Sequence, residues 1–127
     1  NTLVIVTHDL AIHANLCDRL AIMYAGKIVE EADAEALFAD PKHPYTEMLL
    51  DSLPIVGDRT TRESAPGAPP SLVHPPSGCR FHPRCPQAME RCKLEAPNLI
   101  EVEIGHRVAC FLQEGIVDEK VQEFDAR

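Results

Sequence analysis

Leu3-Val4-Ile5-Val6-Thr7, running directly into His8-Asp9-Leu10, is the stretch on which the fold reading turns. Consecutive aliphatic and β-branched residues with no polar alternation suit a strand buried on both faces, as in a parallel sheet covered by helices. Such a strand needs parallel neighbours reached through crossover connections, and the rest of the sequence does not supply them. The expectation is therefore an α/β fragment with most of its sheet missing. His8 and Asp9 stand where the strand would emerge, and open α/β sheets bind ligands beyond the carboxyl ends of their strands. The plainer alternative is that the pair only starts the next helix, with Asp9 as its N-cap.

Working outward, Ala11 to Cys17 suits two helical turns with Ile12 and Leu16 on one face. Arg19 to Tyr24 and Lys27 to Glu31 are β-rich runs joined by Ala25-Gly26, the pattern of a hairpin whose turn tolerates positive φ. Asp33 can cap a short helix over Ala34 to Ala39, stopped by Asp40-Pro41, and Pro44 can open another through Tyr45 and Met48-Leu49-Leu50. Pro54, Pro66, Pro69, Pro70, Pro75 and Pro76 then fall in a stretch poor in apolar residues, which favours extended chain over a core. This divides the sequence into residues 1–53, a proline-rich linker at 54–77, and a cysteine-bearing segment at 78–127. The last of these is expected to be a small irregular extension, with Ile116, Val117, Val121 and Phe124 as the anchors of an acidic tail.

The chain of 127 residues carries 12 basic and 20 acidic side chains, a net charge of −8. That charge repels phosphate backbones and anionic lipid, which disfavours nucleic-acid and membrane-surface binding. No apolar run approaches the roughly 20 residues that span a bilayer, so direct membrane insertion is not expected. Nor does the N-terminal stretch carry the basic flank and cleavage site of a signal peptide, and the reading is cytoplasmic.

Five cysteines are present, with Cys17 alone and Cys79, Cys85, Cys92 and Cys110 in one stretch. A local group of four thiols in a chain without an export signal points to a metal site more than to disulfides. The spacings of five, six and seventeen intervening residues contain no Cys-x-x-Cys knuckle. Zinc ribbons are built from such knuckles, whereas an iron–sulfur cubane accepts looser spacing, so the pattern leans toward iron and sulfide with zinc as the alternative. Arg80, Arg84, Arg91 and Lys93 could offset the thiolate charge and lower the thiol pKa values. His82 is a possible substitute ligand, and Cys17 reads as core.

Three blocks in order, Thr2 to Leu10, Cys17-Asp18-Arg19 with Ala21 to Glu30, and His43-Pro44-Tyr45-Thr46 before Leu49-Leu50, resemble the nucleotide-binding subunits of ATP-binding-cassette (ABC) transporters. Gly78 to Cys85 and His106-Arg107-Val108-Ala109-Cys110 resemble, within that family, the C-terminal extension of oligopeptide and dipeptide importer ATPases, with nickel importers as close relatives. The resemblance implies the C-terminal part of an ABC-type nucleotide-binding domain: strand, short helices and hairpin, followed by the extension. It implies that His8 is the switch histidine, contacting the γ-phosphate and holding the attacking water in the complete protein. It further implies Cys79, Cys85, Cys92 and Cys110 as ligands of a [4Fe-4S] cluster. A second ATPase subunit and membrane permease subunits would be the partners, on the inner face of the cytoplasmic membrane.

No Gly-x-x-x-x-Gly-Lys-[Ser/Thr] phosphate loop, Leu-Ser-Gly-Gly-Gln-like signature or magnesium-binding carboxylate at the end of an earlier strand occurs in these residues. ATP and Mg²⁺ are therefore expected only in the complete protein, and this chain alone should not hydrolyse ATP. The competing reading, from a different class, is a free-standing iron–sulfur or zinc module in which the N-terminal elements are scaffold.

Overall fold

The computed structural model describes residues 1–53 and 67–115. Asp9 opens the first element as expected: its side chain accepts a hydrogen bond from Ala11 N (3.0 Å), capping α1, Leu10–Leu16. Ile12 and Leu16 do share a face, but it is exposed; His13 is buried. Its Nδ1 lies 3.3 Å from Cys17 Sγ, and Cys17 packs against the main core, as its reading anticipated.

The hairpin is formed by β1, Arg19–Tyr24, and β2, Lys27–Asp33, in antiparallel register. Ala25 and Gly26 both take positive φ, 47° and 78°, the two-residue turn that matches strand twist. Along β1 burial alternates, with Leu20, Ile22 and Tyr24 turned inward. The register then shifts: Ile22 faces Glu30 while Met23 faces Ile28, so Val29 is an extra residue on β2. This bulge buries Val29 and Glu30 in succession, which a regular pleat does not allow.

Helix α2, Ala34–Ala39, follows at once and buries Ala34 and Leu37. Asp33 stands at its N-cap position but makes no capping bond, because its carboxylate pairs with Arg19 Nη1 at 2.8 Å. Helix α3, Pro44–Asp51, begins with proline at a position where the missing N–H is not needed, and the His43 side chain caps it.

Two sequence expectations are corrected. Residues 1–7 carry no regular structure, and Leu3, Val4 and Val6 are 81%, 82% and 94% exposed. A strand exists only through ladder bonds to a neighbour, and no described strand lies beside this run. Nor are residues 78–110 an irregular appendage. They hold a 3-10 turn at His82–Arg84, helix α4 at Glu90–Leu94, and strands β3, Ile100–Glu103, and β4, His106–Val108. The four strands form one antiparallel sheet in the order β1-β2-β4-β3. Only part of the proposed linker is described: residues 67–77 show bends but no helix or strand, while 54–66 and the tail anchors Ile116, Val117, Val121 and Phe124 lie outside the described residues.

The core joins both halves of the chain. Leu20, Ile22, Tyr24, Val29, Ala32, Ala34 and Leu37 pack with Phe81, and Cys79 and Cys85 lie against the same cluster. Phe81 is 1% exposed and meets Tyr24 and Tyr45 with ring centroids 5.1 and 5.3 Å away, in edge-on and tilted arrangements favoured by the ring quadrupole. Among the described residues no helix is long and apolar enough to cross a membrane.

Candidate functional site

Gly78 fixes where the cysteine segment enters. Its φ is +67°, and a Cβ there would overlap the Cys92 carbonyl oxygen and stand 2.8 Å from Lys93 C. Only glycine lets the two backbones approach this closely. The approach is closed by Cys79 N donating to Cys92 O at 2.8 Å, which sets Cys79 beside Cys92 of α4. His82 N and Arg84 N then donate to Cys79 O and Phe81 O, winding the 3-10 turn that delivers Cys85 to the same side. Cys110 arrives just beyond β4, where Ala109 N donates to Val29 O at 2.8 Å.

All four thiols line one small, largely apolar cavity, walled also by His43, Pro44, Phe81, His82, Pro97, Phe111 and Leu112. None is in a disulfide. Burial pushes the Cys79 and Cys85 thiols above their ordinary value. Cys110 is pushed up to about 11, first by burial and then, after a partial offset from the Leu112 backbone, by the charge of the other three thiols. The four cysteines reach this one space from three separate segments.

The expectation that neighbouring cations lower these pKa values is overturned, because the cations have other partners. Arg80 donates to the Ala25 carbonyl, Arg84 to Tyr24 Oη at 3.4 Å, Arg91 to Glu95 and Glu114, and Lys93 to Glu90. Arg91 also stacks over the Phe111 ring at 4.0 Å, tying α4 to the helical turn that follows Cys110.

Behind the cavity lies a buried polar cluster that the sequence reading missed. Glu30, fully buried, accepts from Lys42 N at 2.7 Å and from His43 N at 3.1 Å, and its Oε1 lies 2.6 Å from His106 Nε2. One carboxylate thus holds β2, the α2–α3 connection and β4 together. His43 is 2% exposed, and its Nδ1 accepts from Tyr45 N at 3.0 Å to cap α3. Burial lowers its pKa to about 4, partly opposed by Glu30, so the ring is neutral at physiological pH. With Nδ1 an acceptor, the ring proton resides on Nε2. Nε2 has no hydrogen-bond partner among the described residues. His82 Nδ1 is 2.9 Å from Cys79 O, which leaves its own Nε2 available as a lone-pair donor.

One observation bears on a sulfur-ligated group: four cysteines, none in a disulfide, line one space. Among the described residues no group of three or more His, Cys, Asp or Glu side chains stands close enough to hold a metal ion, so neither the cluster nor the zinc expectation finds a formed site here. His8 lies apart, exposed in the bend that precedes Asp9, with no hydrogen-bond partner among the described residues.

Residues 29–92 match the family described as "Oligopeptide/dipeptide transporter, C-terminal region". The chain belongs to this family. The matched span holds Glu30, His43, Cys79, Cys85 and Cys92 and ends before His106 and Cys110. The relative "Dipeptide transport ATP-binding protein DppD" of Caldanaerobacter subterraneus subsp. tengcongensis is 48% identical over 114 residues, 89% of this chain and 35% of that protein. "Probable peptide ABC transporter ATP-binding protein y4tS" of Sinorhizobium fredii is 46% identical over 113 residues, covering 87% and 32%. "Oligopeptide transport ATP-binding protein AppD" of Bacillus subtilis is 41% identical over 114 residues, covering 89% and 35%. The chain spans about a third of the length of these relatives.

Proposed function

We propose that this chain is the C-terminal part of the ATP-binding subunit of an ABC-type peptide importer, working with a second ATPase subunit and membrane permeases on the cytoplasmic face. The observation that carries this reading is the family match over residues 29–92, joined to close relatives whose names specify ATP-binding proteins of peptide transport. ATP and Mg²⁺ would be bound mainly by residues outside this chain, since no phosphate loop occurs within it. His8, on an exposed approach to α1, has the donor and acceptor capacity needed to hold a water against a γ-phosphate. The test is ATP turnover by the full subunit: His8→Ala is expected to lower it by about 100-fold, in the range of a lost positioning or proton-transfer group. Turnover by residues 1–127 alone would overturn the assignment.

Cys79, Cys85, Cys92 and Cys110 form a sulfur-ligand site, read here as the seat of a [4Fe-4S] cluster. The convergence of the four thiols on one cavity supports this. The pairing of β4 with β2 sets the site into the same sheet as the hairpin and argues against a free-standing module. When bound, the cluster supplies a cross-link and a one-electron couple; the protein supplies thiols, an apolar wall and a fixed spacing. Iron, sulfide and zinc analysis of anaerobically purified protein decides the metal. Zinc alone, with no visible absorbance, would sink the cluster reading.

A further inference from the structure

Two of the four cavity thiols are tied together through their backbones. Cys79 N donates to Cys92 O at 2.8 Å, and Gly78 lies so near the Cys92 and Lys93 carbonyls that no Cβ fits there. With standard bond lengths, this hydrogen bond confines the Cα atoms of Cys79 and Cys92 to within roughly 6.7 Å of each other. Disulfides span Cα separations of about 4.4–6.8 Å. Both side chains border the same cavity, and neither is in a disulfide. Cys85 and Cys110 border it too, but among the described residues no backbone hydrogen bond joins either of them to another of the four. Holding a metal ion takes several donors drawn together, and the described residues offer no such group of three or more. A disulfide takes only a pair.

We propose that Cys79 and Cys92 are a redox-active pair that closes a disulfide, with a low-molecular-weight disulfide such as oxidised glutathione as the oxidant. Cys79 is the more exposed of the two and reacts first. Its thiolate attacks one sulfur of the oxidant, whose S–S bond breaks; a mixed disulfide forms and one glutathione thiolate leaves. The Cys92 thiolate then attacks the Cys79 sulfur and expels the second glutathione. The protein pair has lost two protons and two electrons, and the oxidant has become two thiols. Burial holds the Cys79 thiol above its ordinary value, so the first step is slow and calls for excess oxidant. The contact given up is a weak one, Met89 N to Cys92 Sγ at 3.4 Å. The product staples the entry of the segment at Gly78 to α4 and withdraws two thiols from the cavity until they are reduced. The pair acts in metal-free protein, because a bound cluster would occupy the same sulfurs.

The test uses the full subunit, purified anaerobically with reductant, stripped with a chelator where iron or zinc is found, and then exposed to oxidised glutathione. Disulfides are mapped by mass spectrometry of non-reduced peptides, in native buffer and in urea. Native protein is expected to lose two thiols per chain to a Cys79–Cys92 link, restored by dithiothreitol. A Cys85→Ser/Cys110→Ser variant is expected to form the same link. In urea the link should give way to Cys79–Cys85 and Cys85–Cys92, because an unfolded chain favours the shorter loop by roughly threefold for each halving of its length. Native protein that forms no link overturns the proposal. So does a native preference for pairs through Cys85 or Cys110, or one and the same mixture in native buffer and in urea. Metal-loaded protein that resists the oxidant while stripped protein forms the link supports the pair, and iron with sulfide in the loaded sample separately supports the cluster reading.

Discussion

Replacing Glu30 with glutamine tests the buried clamp by changing a single atom. Oε1 of Glu30 takes both Lys42 N and His106 Nε2, whereas Oε2 takes only His43 N. A glutamine amide therefore settles with its oxygen at the Oε1 position, retaining two bonds, and turns its NH₂ toward the His43 N–H. One donor is orphaned and two donors face each other, which costs about 1–3 kcal/mol where Glu30 is fully buried. Glu30→Ala removes all three acceptor contacts and leaves three inward donors without a partner, at about 1–3 kcal/mol for each one that stays buried. Against a total stability of about 5–15 kcal/mol this leaves a marginal fold. In urea unfolding followed by circular dichroism, Glu30→Gln is expected to lower the midpoint by about 1 M, taking a slope of about 2 kcal/mol per M. A cycle with His106→Ala should show a coupling of about 1–3 kcal/mol between the two positions. A Glu30→Gln midpoint equal to wild type, or additive losses in the cycle, would refute the clamp.

Gly78→Ala is expected to lose about 1–2 kcal/mol from the left-handed backbone alone, before its overlap with α4 is counted; Gly26→Asn, with its nearest neighbour 3.5 Å from the added Cβ, should be close to neutral, and thermal melts of the pair check the contrast. Phe81→Ala opens a cavity among Tyr24, Tyr45 and His43 and should cost about 3–5 kcal/mol; a loss below 1 kcal/mol would show that the ring is not central to the core. His43 has a folded pKa near 4 against an ordinary 6.5. Because that value is depressed, its contribution of about 3 kcal/mol is complete above pH 6.5 and fades as the pH falls toward 4. His43→Asn should flatten the urea midpoint between pH 7 and 4.5, and an unchanged slope would assign the acid sensitivity elsewhere.

The features legible in the sequence are those with local causes. Ala25-Gly26 announced the hairpin, Asp9 the start of α1, and Pro44 the start of α3, because turn and cap chemistry acts over a few residues. The grouping of the four cysteines was legible too. Their common cavity was not, since it depends on β4 pairing with β2, an alignment between residues 76 and 78 positions apart. Glu30 was the hardest to foresee: in Lys27-Ile28-Val29-Glu30-Glu31 two adjacent acids look solvated, and only the bulge at Val29 turns one of them inward. Leu3 to Thr7 shows the opposite limit. Its composition suits a strand, but composition cannot provide the neighbour that makes one.

The seam between the two hairpins is short. Its ladder consists of Glu30 with Val108 and Glu31 with Arg107, reinforced by the side chains of His106 and Arg107. Each hairpin can close early by itself, and the joining step must then bring together the ends of the long chain that runs from α2 to β3. The entropy of such a closure rises only logarithmically, by about 0.6 kcal/mol for each doubling of length. Lengthening the segment between α3 and Gly78 should therefore slow folding far more than it weakens the folded state. That makes this segment the natural place to insert a reporter domain, with the sheet preserved on either side.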